Sequence, residues 1–362
     1  MTRARVVRNV LSCSLAVAVL AGGAPAASAG QGSAVPDVSI RPAGVQRFVE
    51  RSAGEQQAGL GITFFVRVEN TGNATGSFLV EGDHGGAVFT VRYLAGGTGE
   101  KRITERVVDG TYLIENVPAG ETRTLRIRVG VEPEAPIDRT GSWRLLVQTE
   151  GASGDADVVR GTVRTVTPAF ARAAGVVLRV PAASWLGVTY HESLFGSAAE
   201  LRPIGHLLQN DGSGFHPPPD TIGPGYIVME SRDRGTPATS SSDDVLERTE
   251  PVLAPVTGKV IRVTSYPLYC EWPDVRVAIR PAAAPERTVQ IFHVVGPRVE
   301  RGDHVLVSHT VIGRARLFPF RSETQDYGLS ARHVHLELER DGSAPLPGCG
   351  VRARPGDSWS DV

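Results

Sequence analysis

Turn-forming residues interrupt this chain so often that long helices cannot account for its fold. Its 362 residues include 41 glycines and 25 prolines spread along the whole length, and long amphipathic periodicity is scarce. Glycine and proline disfavour helix interiors, whereas short runs rich in β-branched and aromatic residues between turns are typical of strands. The sequence therefore predicts a mainly β protein.

The first half of the chain carries seven such runs. One of them, 62–68, ends in the sequence ENTGN at 69–73, which is strong turn chemistry. The other six runs are 77–80, 88–93, 112–114, 124–129, 143–147 and 158–166. Several short strands at this spacing predict an antiparallel β-sandwich over residues 30–168. The stretch 68–73 also resembles the immunoglobulin-like modules that are attached to exported bacterial enzymes.

The N-terminus has the pattern of a secretory signal. Three arginines lie among the first eight residues, an apolar run follows at 10–20, and an A-x-A cleavage pattern at 27–29 precedes Gly30. The apolar run is too short to span a bilayer as a helix, so we expect a cleaved signal peptide over residues 1–29. The alternative is an uncleaved membrane anchor. A mature protein that begins at Gly30 would be secreted, either extracellular or associated with the cell wall.

Charge and length narrow the class of the mature protein. Cleavage after residue 29 removes three arginines and no acidic residue, so the formal net charge goes from −1 to −4. This charge gives no reason to expect nucleic-acid binding, and no second apolar stretch is long enough to place the mature form in a membrane. The remaining length suggests two domains. We expect the junction in the Ala-rich stretch 167–175, a strand at 176–180, and a second domain over 175–362.

Four sequence blocks follow one another in the second domain. They are PVLAPVTGKV at 251–260, VQIFH at 289–293, VERGDHV at 299–305 followed by VIG at 311–313, and HVHLEL at 333–338. Their order and spacing resemble the lysostaphin/LytM family of zinc metallopeptidases over residues 240–342. The resemblance implies an antiparallel β-sheet domain that binds Zn²⁺ and cleaves the peptide cross-links of bacterial peptidoglycan.

The last block carries two histidines two residues apart. Residues at this spacing in a strand share a face, so His333 and His335 project to the same side, which suits a zinc site. The resemblance implies that His335 is a metal ligand and that His333 orients or deprotonates the attacking water. It also implies that His293 is a catalytic residue that stabilises charge on the tetrahedral intermediate.

The family's first motif, H-x-x-x-D, is incomplete here. Its aspartate lies nine residues before the valine of the PV block, which places it at Asp243, but the histidine then falls at Thr239. Threonine is a poor zinc ligand, and catalytic zinc usually keeps three protein ligands. Residues 191–250 are dense in Gly, Pro and Ser, so we expect irregular structure there, with the serine run 240–242 in a loop.

Two arrangements could supply the third ligand. In one, the literal H-x-x-x-D spacing of His216 and Asp220 replaces the gapless alignment. In the other, His216, His206 or His191 folds back beside Asp243. We take His216 as the leading candidate, with Asp243 and His335 as the other two ligands.

Two functions follow from these residues. The first is a zinc endopeptidase that acts on peptidoglycan cross-links. The second is a catalytically inactive relative that binds the cell wall or regulates another hydrolase. A biotinyl- or lipoyl-type carrier also has A-P-x-x-G-x-V hairpins, but export argues against it, and Lys259 is the only lysine near the hairpin.

We predict that Cys270 and Cys349 form a disulfide. They are the two cysteines that survive signal cleavage, and exported proteins meet an oxidising environment. The closed loop is long, so the bridge should stabilise the fold by about 3–5 kcal/mol in the chain-entropy description. Titration of unfolded, unreduced protein should find no free thiol. Two free thiols would show that the cysteines are unrelated.

Overall fold

The structure, a computed structural model, describes residues 32–96, 101–151, 154–208, 224–247 and 250–340. It is mainly β with several antiparallel sheets, as the sequence predicts. Neither helix in this part of the chain, α1 (Thr104–Val108) or the 3₁₀ helix Glu323–Tyr327, has the length and apolar character that crossing a membrane requires. The expected signal peptide, His216 and Cys349 lie outside the described residues.

Residues 36–166 form two sheets. Their strands are β1 (Pro36–Pro42), β2 (Arg51–Gln57), β3 (Gly61–Asn70), β4 (Gly76–Gly82), β5 (Phe89–Ala95), β6 (Tyr112–Val117), β7 (Thr122–Val131), β8 (Thr140–Thr149) and β9 (Ala156–Val166). One sheet has the order β1-β3-β7-β5 and the other β2-β9-β8-β4-β6. Each of the seven predicted runs overlaps a strand. The polar, Gly-containing β2 was not foreseen, because its pairing comes from tertiary context rather than propensity.

Alternating burial holds these two sheets together. In β3, Phe64, Val66 and Val68 are buried while the residues between them are partly exposed, which is the period of a strand with one covered face. Phe64 packs edge-on against Trp143 of β8, with ring centroids 5.4 Å apart, so side chains of both sheets enter one apolar core. The immunoglobulin-like resemblance stays a prediction.

The turn predicted at 69–73 depends on one buried side chain. Asn70 is fully buried. Its amide donates to the carbonyls of Ala74 and Val117, both at 2.8 Å, and its Oδ1 accepts from the amide of Gly72 at 3.1 Å. Asparagine commonly organises turns in this way, so the turn is fixed by specific hydrogen bonds as well as by backbone preference.

The rest of the chain is organised around a nine-stranded sheet. The strands are β10 (Ala169–Ala173), β11 (Val176–Arg179), β12 (Trp185–His191), β13 (Arg202–Pro203), β14 (His206–Leu207), β15 (Gly225–Val228), β16 (Ser241–Leu246), β17 (Pro251–Leu253), β18 (Gly258–Leu268), β19 (Trp272–Pro281), β20 (Thr288–Phe292), β21 (Val294–Val295), β22 (His304–Val305), β23 (Val311–Ala315) and β24 (His333–Glu339). The order in the large sheet is β14-β15-β12-β16-β24-β20-β19-β18-β22, and two three-stranded sheets, β11-β10-β13 and β17-β23-β21, flank it. A second apolar core spans these elements.

Two of the three serines expected in a loop lie instead in a central strand, which corrects the prediction for them. Ser241 and Ser242 belong to β16, and all six residues of this strand are buried. β16 pairs with β12 on one side and with β24 on the other. Pairing on both sides satisfies the backbone and outweighs the low strand propensity of Ser and Asp.

The segment expected as a junction contains β10, whose side chains lie in the second core. Phe170 is fully buried there, and its carbonyl accepts hydrogen bonds from the Tyr190 hydroxyl at 2.7 Å and the Ile204 amide at 2.6 Å. Polar contacts join the two halves. Arg164 of β9 donates to the Val307 carbonyl at 2.9 Å, and Nδ1 of His309 lies 2.5 Å from Oδ2 of Asp138.

We predict that a truncated chain starting at Thr167 unfolds cooperatively by itself. A chain starting at Ala174 loses β10, and we expect it to be less stable by at least about 3 kcal/mol, the usual cost of removing a buried phenylalanine side chain. Denaturant unfolding of both chains measures the difference, and Phe170→Ala in the full-length protein is the matched variant. Aggregation of the chain from Thr167 would show that the two halves need each other to fold.

Candidate metal centre

Three neighbouring strands at the middle of the large sheet bring the candidate ligands together. Asp243 of β16 lies directly opposite His335 of β24, and directly opposed residues share a face of the sheet. In the next row, Ser241 of β16 lies between His191 of β12 and Glu337 of β24. The strand register therefore places two histidines and two carboxylates on one face.

The side chains in these rows are in contact. Nδ1 of His335 lies 2.8 Å from Oδ1 of Asp243, and Nε2 of His191 lies 3.3 Å from Oδ2 of the same carboxylate. One ligand atom from each of the three residues lies within 4.8 Å of the other two. Two imidazole nitrogens and one carboxylate oxygen form a typical donor set for catalytic zinc, so the residues fit a zinc ion.

Further contacts orient the two imidazoles. Nε2 of His335 lies 3.0 Å from Oε1 of buried Glu337, which also accepts a 2.6 Å hydrogen bond from the Ser193 hydroxyl. Nδ1 of His191 lies 2.9 Å from the Glu192 carbonyl and 2.9 Å from the Ser241 hydroxyl. Contacts of this kind fix the ring orientation and tautomer of metal-binding histidines. Nε2 of His191 and Nδ1 of His335 are left facing Asp243.

The electrostatics select one of the two adjacent aspartates. Burial raises the pKa of Asp243, but His333 and His191 together with hydrogen bonds bring it well below its usual range. Asp244 points to the opposite face of β16, where burial raises its pKa well above the usual value. The anionic form, which a metal ligand needs, is therefore favoured at Asp243, whereas burial favours the neutral form of Asp244.

The two ligand histidines differ in charge. Burial lowers the pKa of His191 to about 4, against the opposing effect of Asp243, so this ring is neutral. Burial also acts to lower the pKa of His335, but hydrogen bonds to Asp243 and Glu337 raise it to about 9. A metal ion at this position would take the place of a proton on His335.

Two more histidines lie beside the cluster. Burial lowers the pKa of His333 to about 3, and its ring stacks on Phe318 with centroids 4.7 Å apart. Nε2 of His333 lies 3.8 Å from Oδ1 of Asp243. The ring of His293 lies 5.5 Å from that of His333 and 6.1 Å from that of His335. The structure thus brings together four of the sequence-predicted site residues: His293, His333, His335 and Asp243.

The remaining candidates stand apart. His206 is in β14 at the edge of the large sheet, and Thr239 precedes β16 without contributing to the cluster. His216 lies outside the described residues. Within the described residues, His191 is the third member of the group that could hold a metal ion, and it is one of the alternatives that the sequence left open. Cys270 lies in the turn between β18 and β19, and its predicted disulfide with Cys349 stays a prediction.

Sequence reasoning missed four residues around these histidines: Ser193, Arg232, Asp274 and Glu337. Glu337 could have been found, because it lies two residues after His335 in a strand and so shares its face. Arg232 could not, since its segment is irregular in sequence. Its guanidinium lies 3.1 Å from Nδ1 of His191 and forms an ion pair with Glu323.

Comparisons with known proteins leave the family open. No protein-family model and no curated protein matches the chain. The similar solved structures include a FixG-related protein from Vibrio parahaemolyticus, with 10% identity, a TM-score of 0.23 and coverage of 36% of this chain and 95% of that chain. They also include the secreted serine protease VesC from Vibrio cholerae, with 7% identity, a TM-score of 0.23 and coverage of 85% of this chain and 47% of that chain. The pilin subunit BcpA of Bacillus cereus has 8% identity, a TM-score of 0.27 and 60% coverage of each chain. TM-scores this low support no conclusion about the fold or the function of this chain.

We predict that the protein binds one zinc ion per chain through His191, Asp243 and His335. His191→Ala and His335→Ala should each lower zinc affinity by more than about 100-fold, beyond the effect typical of a lost outer-shell partner. Metal analysis and calorimetric titration measure this. The control is His304→Ala, which removes an exposed imidazole in β22. Loss of zinc in His216→Ala with retention in His191→Ala would contradict this ligand set.

Proposed function

We propose that the C-terminal half is a secreted zinc metalloendopeptidase that cleaves peptide cross-links of bacterial peptidoglycan. The observation that carries the proposal is the convergence of His191, Asp243 and His335 on one face of the sheet, with His293 and His333 beside them. Peptide-bond hydrolysis at zinc needs these parts: a three-residue ligand set and groups that transfer protons. The four sequence blocks that resemble the lysostaphin/LytM family supply the substrate class.

The chain's own residues have separable tasks in this proposal. A bound zinc ion would lower the pKa of a water molecule and polarise the scissile carbonyl. In this proposal His333, whose Nε2 lies 3.8 Å from Oδ1 of Asp243, accepts the proton of the attacking water and later delivers it to the leaving amine. His293, once its Nε2 carries a proton, donates a hydrogen bond from that atom to the oxygen on which negative charge develops.

Aromatic side chains next to the histidines provide a surface for a bound substrate. Phe318 contacts both His293 and His333, with ring centroids 4.9 and 4.7 Å apart. Phe320 continues the row at 5.1 Å from Phe318, and Trp272 lies 4.8 Å beyond it. Such a row shields one side of the reacting groups from water, which strengthens the electrostatic interactions there.

One observation favours a second candidate function, a non-catalytic domain that binds the cell wall. His335 contacts a carboxylate through each ring nitrogen, Asp243 on one side and Glu337 on the other. A protonated His335 would satisfy both carboxylates without a metal. In that case the cluster would be a structural ion-pair network, and metal content separates the two functions.

We predict that His333→Ala keeps zinc but lowers kcat for peptidoglycan cleavage by about 10²–10⁴-fold with little change in KM, because it removes only the proton acceptor. His191→Ala should lose both zinc and activity. The measurement is release of new amino groups from purified peptidoglycan, with His304→Ala as the control. A wild-type protein that sediments with peptidoglycan but holds no zinc and releases no amines would support the non-catalytic function instead.

A further inference from the structure

A third carboxylate lies beneath the candidate catalytic histidines. Asp274 of β19 has a fully buried side chain. Its Oδ2 lies 2.7 Å from Nδ1 of His293 and accepts a 2.6 Å hydrogen bond from the Tyr266 hydroxyl. The four sequence blocks do not include Asp274, and the proposed chemistry above does not use it.

We infer that Asp274, held by Tyr266, is the positioning residue for His293: it keeps the proton on Nδ1 and turns Nε2 towards the substrate. The assignment of His293 to the reaction rests on the proposed function. The hydrogen-bonded arrangement of Tyr266, Asp274 and His293 does not depend on that function.

The strand register explains why this carboxylate reaches the histidine. Tyr266 of β18 and Asp274 of β19 are directly opposed, so their side chains share a face. Arg276, two residues further along β19, also lies on this face, because its guanidinium sits 5.7 Å from the ring centroid of Phe292. Phe292 in turn is opposed to His335. Asp274 is therefore built into the same face of the sheet as the metal ligands.

The backbone at His293 brings its ring to this face. Phe292 is the last residue of β20, and the next residue of a regular strand would point to the opposite face. His293 instead has φ +65°, a left-handed conformation that non-glycine residues adopt only when their surroundings hold them there. The hydrogen bond to Asp274 and the contacts with His333 and Phe318 hold the ring in this position.

The charges around the pair determine which atom donates. Burial raises the pKa of Asp274, but hydrogen bonds from His293 and Tyr266 bring it below its usual value, so the carboxylate is ionised and can only accept. Burial and the neighbouring Asp274 raise the pKa of Tyr266, which stays protonated. Arg316 Nη1 lies 3.9 Å from Oδ1 of Asp274, and among the described residues the imidazoles of His333 and His335 also face His293. Nδ1 of His293 must therefore donate to Asp274.

The opposite ring atom is then available for chemistry. Within the described part of the chain, Nε2 of His293 makes no hydrogen bond. In hydrolases that use other nucleophiles, a buried aspartate likewise fixes the tautomer of a histidine that transfers protons. Replacing such an aspartate with asparagine keeps the shape but removes the tautomer preference.

The test compares the full-length wild type with Asp274→Asn, each labelled with ¹⁵N in its histidines. Long-range ¹H–¹⁵N correlation spectra at neutral pH report which ring nitrogen of His293 carries the proton. We expect Nδ1–H in the wild type and a shift towards Nε2–H in Asp274→Asn. A wild-type spectrum with Nδ1 unprotonated would overturn the inference. This measurement needs neither zinc nor activity, so it stands even if the proposed function fails.

Kinetics give the second readout. Asp274→Asn should lower kcat by about 10²–10⁴-fold, in the range known for loss of such an aspartate, while KM and zinc content stay unchanged. Asp274→Glu should recover part of the rate, and Tyr266→Phe should cost less than Asp274→Asn because the carboxylate remains. The matched control, Glu286→Gln, neutralises an exposed acid in the same half of the chain. Loss of zinc together with loss of rate in Asp274→Asn would mean a general structural role and would overturn the positioning role.

Discussion

The arrangement of the site depends on one buried anion, Asp243. Its side chain is 8% exposed, and an isolated carboxylate in such a place would be strongly unfavourable. Imidazoles on the two neighbouring strands offset this cost, His191 from β12 and His335 from β24. Removing one partner of a buried charged pair typically costs about 3–5 kcal/mol, because the other charge is left unpaired. The residues that would hold the metal therefore also contribute to holding the three central strands together. Loss of zinc in a ligand variant must be compared with the free energy of unfolding of that variant.

The opposite face of the same strands fixes that register. In β24, His333, His335 and Glu337 alternate with Val334, Leu336 and Leu338, and these three apolar side chains are fully buried in the second core. A slip of one residue would place the histidines in the apolar core and the apolar side chains in the site. Hydrophobic burial thus makes the chemistry specific, since it allows only the register in which Asp243 meets His335.

Local pattern and family spacing were enough to predict part of the site. The i, i+2 rule places His333 and His335 together, and counting back from Val252 finds Asp243. His191 could not be chosen over His206 or His216 in this way. It lies 50 residues before Ser241, and the pairing of these two residues across neighbouring strands places His191 beside Asp243. Asp274 depends on the pairing of β18 with β19 and on the left-handed backbone at His293. No periodicity in the sequence encodes either feature. The same limit explains the serine run: intrinsic propensity favours a loop, and only pairing with two neighbouring strands makes β16 central.

The N-terminal half contacts the large sheet far from the histidine cluster. Its polar contacts reach Val307 and His309, just after β22, the strand at one edge of the large sheet. Four strand spacings separate β22 from β24, or about 19 Å across the sheet, so these contacts do not touch the histidine cluster. The edge strand β22 has two residues, and so short an edge strand exposes few unpaired backbone groups to other chains. The N-terminal half hydrogen-bonds to the turn after this strand, away from the face that carries His293, His333 and His335. The site is therefore supported by the apolar core beneath its own sheet rather than by these contacts.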